Sequence, residues 1–127
     1  MGPEDGNIFI AHDNPDILFL IKINFKLNGF DESHLVVATN PEEAEKLVPE
    51  LGDRKTRAAI IDAGLGARPR AEDGTAVNAN IKRLYGDDII TYGISQEYKI
   101  PGADFPKVKW DEAIKKILEL EVEPIDQ

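Results

Sequence analysis

Where the apolar runs of this sequence end, side chains able to hold charge or a metal ion begin. NIFIAHD closes on His12 and Asp13, AAIID on Asp62, DIITYGIS on Ser95 and DFPKVK on Lys109. Two carboxylates and a lysine drawn together from separate runs are costly to group without a use. Like charges destabilise one another unless a cation offsets them. Oxygen ligands with an open position suit Mg2+, which takes one or two carboxylates and fills its remaining sites with water and phosphate. The simpler reading of Asp62 is a carboxylate that caps or solvates a strand end. That role needs no partner, so what lies near Asp62 separates the two.

The elements that must position these groups follow from the pattern. Short runs without polar alternation read as buried strands at Asn7–His12, His34–Thr39, Ala58–Asp62, Asp88–Ile94 and Asp104–Lys109. Between the first two, Asn14 sits at an N-cap position, Pro15 suits a first helical turn and Gly29 a terminator. Ile17, Leu18, Ile21, Phe25 and Leu27 recur at roughly helical spacing. NPEEAEKLVPEL repeats the Asn-Pro start, with Glu42 and Glu43 in the first turn, where the helix dipole favours them. GTAVNANIKRLYG predicts a third helix. WDEAIKKILELE predicts an amphipathic one, with Trp110, Ala113, Ile114, Ile117 and Leu118 on one face. Alternating strands and helices predict an α/β fold around a parallel sheet. In such sheets, sites form at the carboxyl ends of strands, where strand order reverses. The charged groups above fall at those ends.

The chain has 127 residues, which predicts a single domain, 1–127, with its core at about residues 7–120. A net charge of −9 argues against nucleic acid or an anionic membrane as the main partner, since both require basic surface. With no cysteine, disulfides and thiolate metal sites are excluded. No run approaches a membrane span, and MGPEDGNIF lacks the regions of a signal peptide, so a cytoplasmic location is expected.

IFIAHDNPDILFLI resembles the first strand and helix opening of response-regulator receiver domains, whose strand ends in a pair of acids. AAIIDAGL resembles their third strand, which ends in the aspartate that accepts a phosphoryl group. GADFPKVKW resembles their Gly-Ala-Asp segment, followed at the same spacing by a lysine and then the last helix. Asp73-Gly74 resembles the dipeptide that opens their third helix. The resemblance spans about Asn7 to Leu120. It implies a flavodoxin-like, doubly wound sheet of five parallel strands in the order 2-1-3-4-5. It further implies Asp62 as phosphoryl acceptor, Asp13, Asp62 and the Gly64 carbonyl as Mg2+ ligands, and Lys109 on a phosphoryl oxygen. The implied partners are a histidine kinase or histidine phosphotransfer protein in a two-component phosphorelay, and an output protein that the sequence does not name. Such a domain is no enzyme in the turnover sense, although self-phosphorylation from small phosphodonors and autodephosphorylation belong to it.

The departures from that pattern also carry expectations. His12 stands where the family shows its first acid, which weakens an all-oxygen Mg2+ site and favours a softer metal. A hydrogen-bonded strand-end histidine is the other reading of His12. The switch Ser/Thr position is taken by Ser95, with Tyr92 and Gly93 as alternatives. The loop between Asp62 and Asp73 is longer than usual and holds Arg68 and Arg70, either solvated or within reach of an anion. Only QEYKIP separates Ser95 from Gly102, so the family's fourth helix is expected to be shortened or missing. A pseudo-receiver that acts by protein contacts alone is the alternative function. A small α/β enzyme is a third: no Gly-rich dinucleotide loop or P-loop is present, and His12 and His34 are the only imidazoles for a triad.

Overall fold

The strands β1 (Asn7–Ala11) and β3 (Thr56–Asp62) read as near-continuous apolar runs because both of their faces are covered. Ile8, Phe9, Ile10, Ile60 and Ile61 are fully buried. The computed structural model describes residues 7–65, 72–95 and 98–121. Its sheet has five strands, all parallel, in the order β2-β1-β3-β4-β5, with β2 at Leu35–Ala38, β4 at Ile90–Ile94 and β5 at Phe105–Val108. Four α-helices cover it: α1 (Pro15–Leu27), α2 (Pro41–Leu47), α3 (Glu72–Tyr85) and α4 (Trp110–Glu121). This is the flavodoxin-like, doubly wound arrangement. No helix among the described residues is long and apolar enough to cross a membrane.

The two faces of the sheet hold separate cores. On one, Phe9, Val36, Ala59 and Ile61 meet Ala44 of α2 and Val77 and Ile81 of α3. On the other, Ile8, Ile10, Ile60 and Tyr92 meet Leu18, Ile21 and Phe25 of α1 and Ala113, Ile114 and Ile117 of α4. Val37 and Ile90, expected in the core, are only partly buried. Val37 belongs to an edge strand, and Ile90 is the first residue of its strand.

Local chemistry sets the helix ends. The Asn14 side chain accepts from the N–H groups of Asp16 and Ile17, at 2.9 and 3.2 Å, and Pro15 follows at the first helical position. At the other end Gly29 takes φ +94°, its N–H donates to the Lys26 carbonyl, and the Phe30 N–H donates to that of Phe25. The Phe25 and Phe30 rings meet edge-on at 5.5 Å, completing a Schellman motif. Leu27, expected on the inner face, is 80% exposed instead. It joins Phe19, Leu20 and Ile23 on an outward face, so α1 is apolar on both sides.

Between β4 and β5, Tyr98–Asp104 carry no helix, while Gln96 and Glu97 lie outside the described residues. Ile100-Pro101-Gly102-Ala103 makes a turn in which the Ala103 N–H donates to the Ile100 carbonyl and Gly102 takes φ +87°. That is the geometry a Pro-Gly pair favours. Ile100 is fully buried and joins the α2/α3 core, so one side chain fills space that a helix would otherwise cover.

Candidate metal and phosphoryl site

The register of the two central strands brings the first candidate residues together. Ala11 pairs with Ile61, which sets His12, the next residue, beside Asp62 at the carboxyl end of the sheet. His12 Nδ1 lies 3.6 Å from Asp62 Oδ2 and 3.8 Å from Asp13 Oδ1. One ligand atom from each of the three falls within 4.8 Å of the others. The Asn14 cap that starts α1 also fixes this corner, because the Asn14 N–H donates to His12 Nδ1 at 3.1 Å. Neutral imidazole then carries its proton on Nε2.

Burial holds His12 below its ordinary value of 6.5, although the charges of Asp62 and Asp13 pull the other way. Asp62 is pushed above the usual carboxylate range. Burial is the main cause, and the charge and hydrogen bond of Asp13 add to it, while His12 and the Gly64 amide oppose it. At neutral pH the imidazole is therefore uncharged and offers no counterion to the carboxylates. A divalent cation would relieve that repulsion. The donor set fits one: two carboxylates supply hard oxygen, and His12 Nδ1, on giving up the bond from Asn14, adds a nitrogen that first-row transition ions accept more readily than Mg2+ does.

The remaining candidates are placed around a cavity of about 600 Å3 whose wall includes His12, Asp62, Gly64, Ser95 and Lys109. The Gly64 N–H donates to Asp62 Oδ1 at 3.2 Å, which orients the carboxylate. The Lys109 ammonium pairs with no carboxylate within 4 Å among the described residues. Its backbone N–H reaches Glu112 at 3.4 Å. Ser95 Oγ accepts from the Tyr98 N–H at 2.9 Å. Arg68 and Arg70 lie outside the described residues.

Gly74 shows why a glycine stands in the dipeptide that opens α3. A Cβ there would lie 2.6 Å from the Asp62 carbonyl oxygen and 2.9 Å from Ala63 Cα. The helix seats directly on the end of β3, and only hydrogen fits between them.

Two groups of residues escaped the sequence reading. Lys82 of α3 bonds the carbonyls of Gly86 and Ile89, at 3.2 and 2.9 Å, and pairs with Asp104. Asp104 also accepts from the Thr91 N–H at 2.8 Å. The Lys82 and Thr91 bonds hold its carboxyl below the usual range against the opposing effect of burial. The aspartate of the Gly-Ala-Asp segment thus ties the β5 approach to α3 and β4, far from Asp62 in role. No local pattern joins Lys82 to Asp104. The second group is Ile17, Tyr98 and Trp110, which line the cavity. Trp110 had been legible only as part of a helix face.

The comparisons with known proteins bear on the fold. No protein-family model matches the chain, and no curated protein does. A solved structure with a yeast Spc42 trimeric coiled-coil segment fused to another structure is similar to it, with a TM-score of 0.65 and 14% identity over 94% of this chain and 82% of that one. At that identity the likeness concerns the fold alone.

Proposed function

We propose that this is a signalling receiver domain in which Asp62 accepts a phosphoryl group, assisted by a divalent cation. The observation that carries the reading is the convergence of His12, Asp13 and Asp62 at the ends of the two central strands, with His12 and Asp62 lining a cavity that Lys109 shares. A strand-capping aspartate needs none of these neighbours. An Asp62 oxygen attacks phosphorus in line, and the bond from phosphorus to the donor's imidazole nitrogen breaks. The electron pair stays on that nitrogen, and an acyl phosphate forms on Asp62. Asp13, Asp62 and His12 are the side chains to hold the cation, with the Gly64 carbonyl a further ligand. Mg2+, when bound, neutralises charge on the phosphoryl oxygens. Lys109 offers its free ammonium to the same oxygens, and Ser95 is the switch hydroxyl. A histidine kinase or phosphotransfer protein in the cytoplasm is the donor, and the phosphorylated state is read out by protein contacts.

A second reading, a pseudo-receiver that works through contacts alone, draws on the outward apolar face of α1, with Phe19 61% and Leu27 80% exposed. The test is intact mass after treatment with acetyl phosphate and Mg2+. Wild type gains one acid-labile phosphoryl group and Asp62→Asn gains none. Unmodified wild type, under conditions that label an ordinary receiver, gives the second reading the protein.

A further inference from the structure

We infer that the cavity beside the cation ligands binds a small organic phosphate with a flat aromatic body. A phosphoryl group and a few waters on a cation need on the order of 200 Å3, counting about 30 Å3 for each water-sized group. The cavity has about 600 Å3, within the range of small-molecule pockets. The wall that phosphoryl transfer leaves unused is mostly aromatic and aliphatic: Ile17 from α1, Ile94 at the end of β4, Tyr98, and Trp110 at the start of α4, with the Asp111 carboxylate beside it. The chain after β4 turns back through Pro101-Gly102 and buries Ile100, leaving Tyr98 at the cavity wall with 39% of its surface exposed. Tyrosine and tryptophan side chains in a pocket wall offer a planar ligand aromatic contact at little entropic cost.

The polar part of the pocket selects the ligand's charge. On a chain of net charge −9, an anion enters only where cations are concentrated. Lys109 and an ion held by His12, Asp13 and Asp62 supply them, and phosphate oxygens complete the shell of such an ion. An aromatic phosphate therefore satisfies both halves, whereas inorganic phosphate leaves the rings bare and a neutral arene leaves the charges unmatched. This inference rests on the cation site of the proposed function, but not on Asp62 becoming modified.

The chain has one tryptophan, so Trp110 emission reports directly on the pocket. The experiment titrates the full chain with phenyl phosphate, inorganic phosphate and phenol, each with Mg2+ and with chelator. Phenyl phosphate should change Trp110 emission and bind at least about tenfold more tightly than inorganic phosphate. Its affinity should fall at least about tenfold in chelator and in Tyr98→Ala. The Tyr98 ring is part-exposed and its bond to Ser95 is made by the main chain, so that variant keeps the fold, which circular dichroism checks. Equal affinity for the two phosphates, indifference to Tyr98→Ala or to chelator, or no change of emission at millimolar phenyl phosphate each overturns the inference. Labelling of Asp62, read separately by mass, leaves this result untouched. Binding without labelling removes the acceptor reading alone, and labelling without binding removes the pocket alone.

Discussion

Substituting Gly74→Ala tests the contact on which the geometry of β3 depends. The new Cβ would stand 2.6 Å from the Asp62 carbonyl oxygen, 2.9 Å from Ala63 Cα and 3.1 Å from the Ala63 carbonyl oxygen. All three are backbone atoms, so no side chain can swing away. Either α3 lifts off the sheet or the end of β3 moves. Overpacking of this kind costs about 1–3 kcal/mol. Alanine returns up to about 1 kcal/mol through its better helix propensity. The net loss should be about 1–2 kcal/mol, which for a chain of this size lowers Tm by roughly 3–10 °C. Gly64→Ala is the matched control, because a Cβ there meets nothing within 4 Å and the residue has no positive φ. Thermal unfolding followed by circular dichroism, with urea midpoints alongside, measures both. A Gly74→Ala protein as stable as wild type would refute the close seating of α3 on β3 and the backbone placement of Asp62 derived from it.

Three further outcomes can be measured. In metal-free buffer, the folded state holds the Asp62 proton more tightly than the unfolded one, so stability falls as pH rises from the ordinary value of 3.8 through the raised folded value. Asp62→Asn removes that loss and should raise the urea midpoint at neutral pH but not in acid; an unchanged difference across pH would contradict it. His12 slopes the opposite way, with stability falling as pH drops from 6.5 through its lowered folded value, and His12→Gln should flatten that limb. Millimolar Mg2+ should shift the amide resonances of Asp13 and Asp62, and His12→Asp should tighten Mg2+ about tenfold by restoring an oxygen ligand; silence at both residues would leave the cation site without support. Lys82→Met should cost about 1.5–3 kcal/mol by removing the ammonium from two carbonyls and from Asp104. A urea midpoint within error of wild type would show that water replaces those bonds freely.

The parts of the fold legible in the sequence are those that local chemistry decides. Ile8–Ile10 and Ile60–Ile61 announce a sheet covered on both faces, and Asn14-Pro15 and Asn40-Pro41 mark helix starts. The amphipathic period of α4 places its ends at Trp110 and Glu121. Boundaries were less visible where a tertiary contact overrides composition. β3 begins at Thr56, two residues before the apolar run, and includes Arg57, whose guanidinium lies over the Phe30 ring at 5.9 Å. β4 begins at Ile90, because Asp88 is taken up by a short 3-10 turn. Leu27 faces outward because it falls in line with Leu20 and Ile23, on the side of the helix opposite Leu18, Ile21 and Phe25. Within the site, the neighbours of Asp62 follow from strand-end position alone, since Ala11–Ile61 pairing puts His12 alongside. Tyr98 could not be read as a wall of the cavity, because its place depends on a connection too short to make a helix.

The first helix of the chain rests on the last. α1 and α4 pack against each other over Ile8, Ile10 and Ile60, and β1 gains its second neighbour only when β3 is in place. A chain emerging from the ribosome therefore carries Leu18, Ile21 and Phe25 without their cover until Ala113, Ile114 and Ile117 arrive. The opening β1-α1-β2 unit cannot persist by itself, and the loop closed by α1–α4 docking spans most of the molecule, a loss of chain entropy that long-range contacts must recover. Folding thus waits for α4 and is nearly all-or-none. During that interval the same apolar α1 is open on both faces, which makes it a segment for a chaperone to hold.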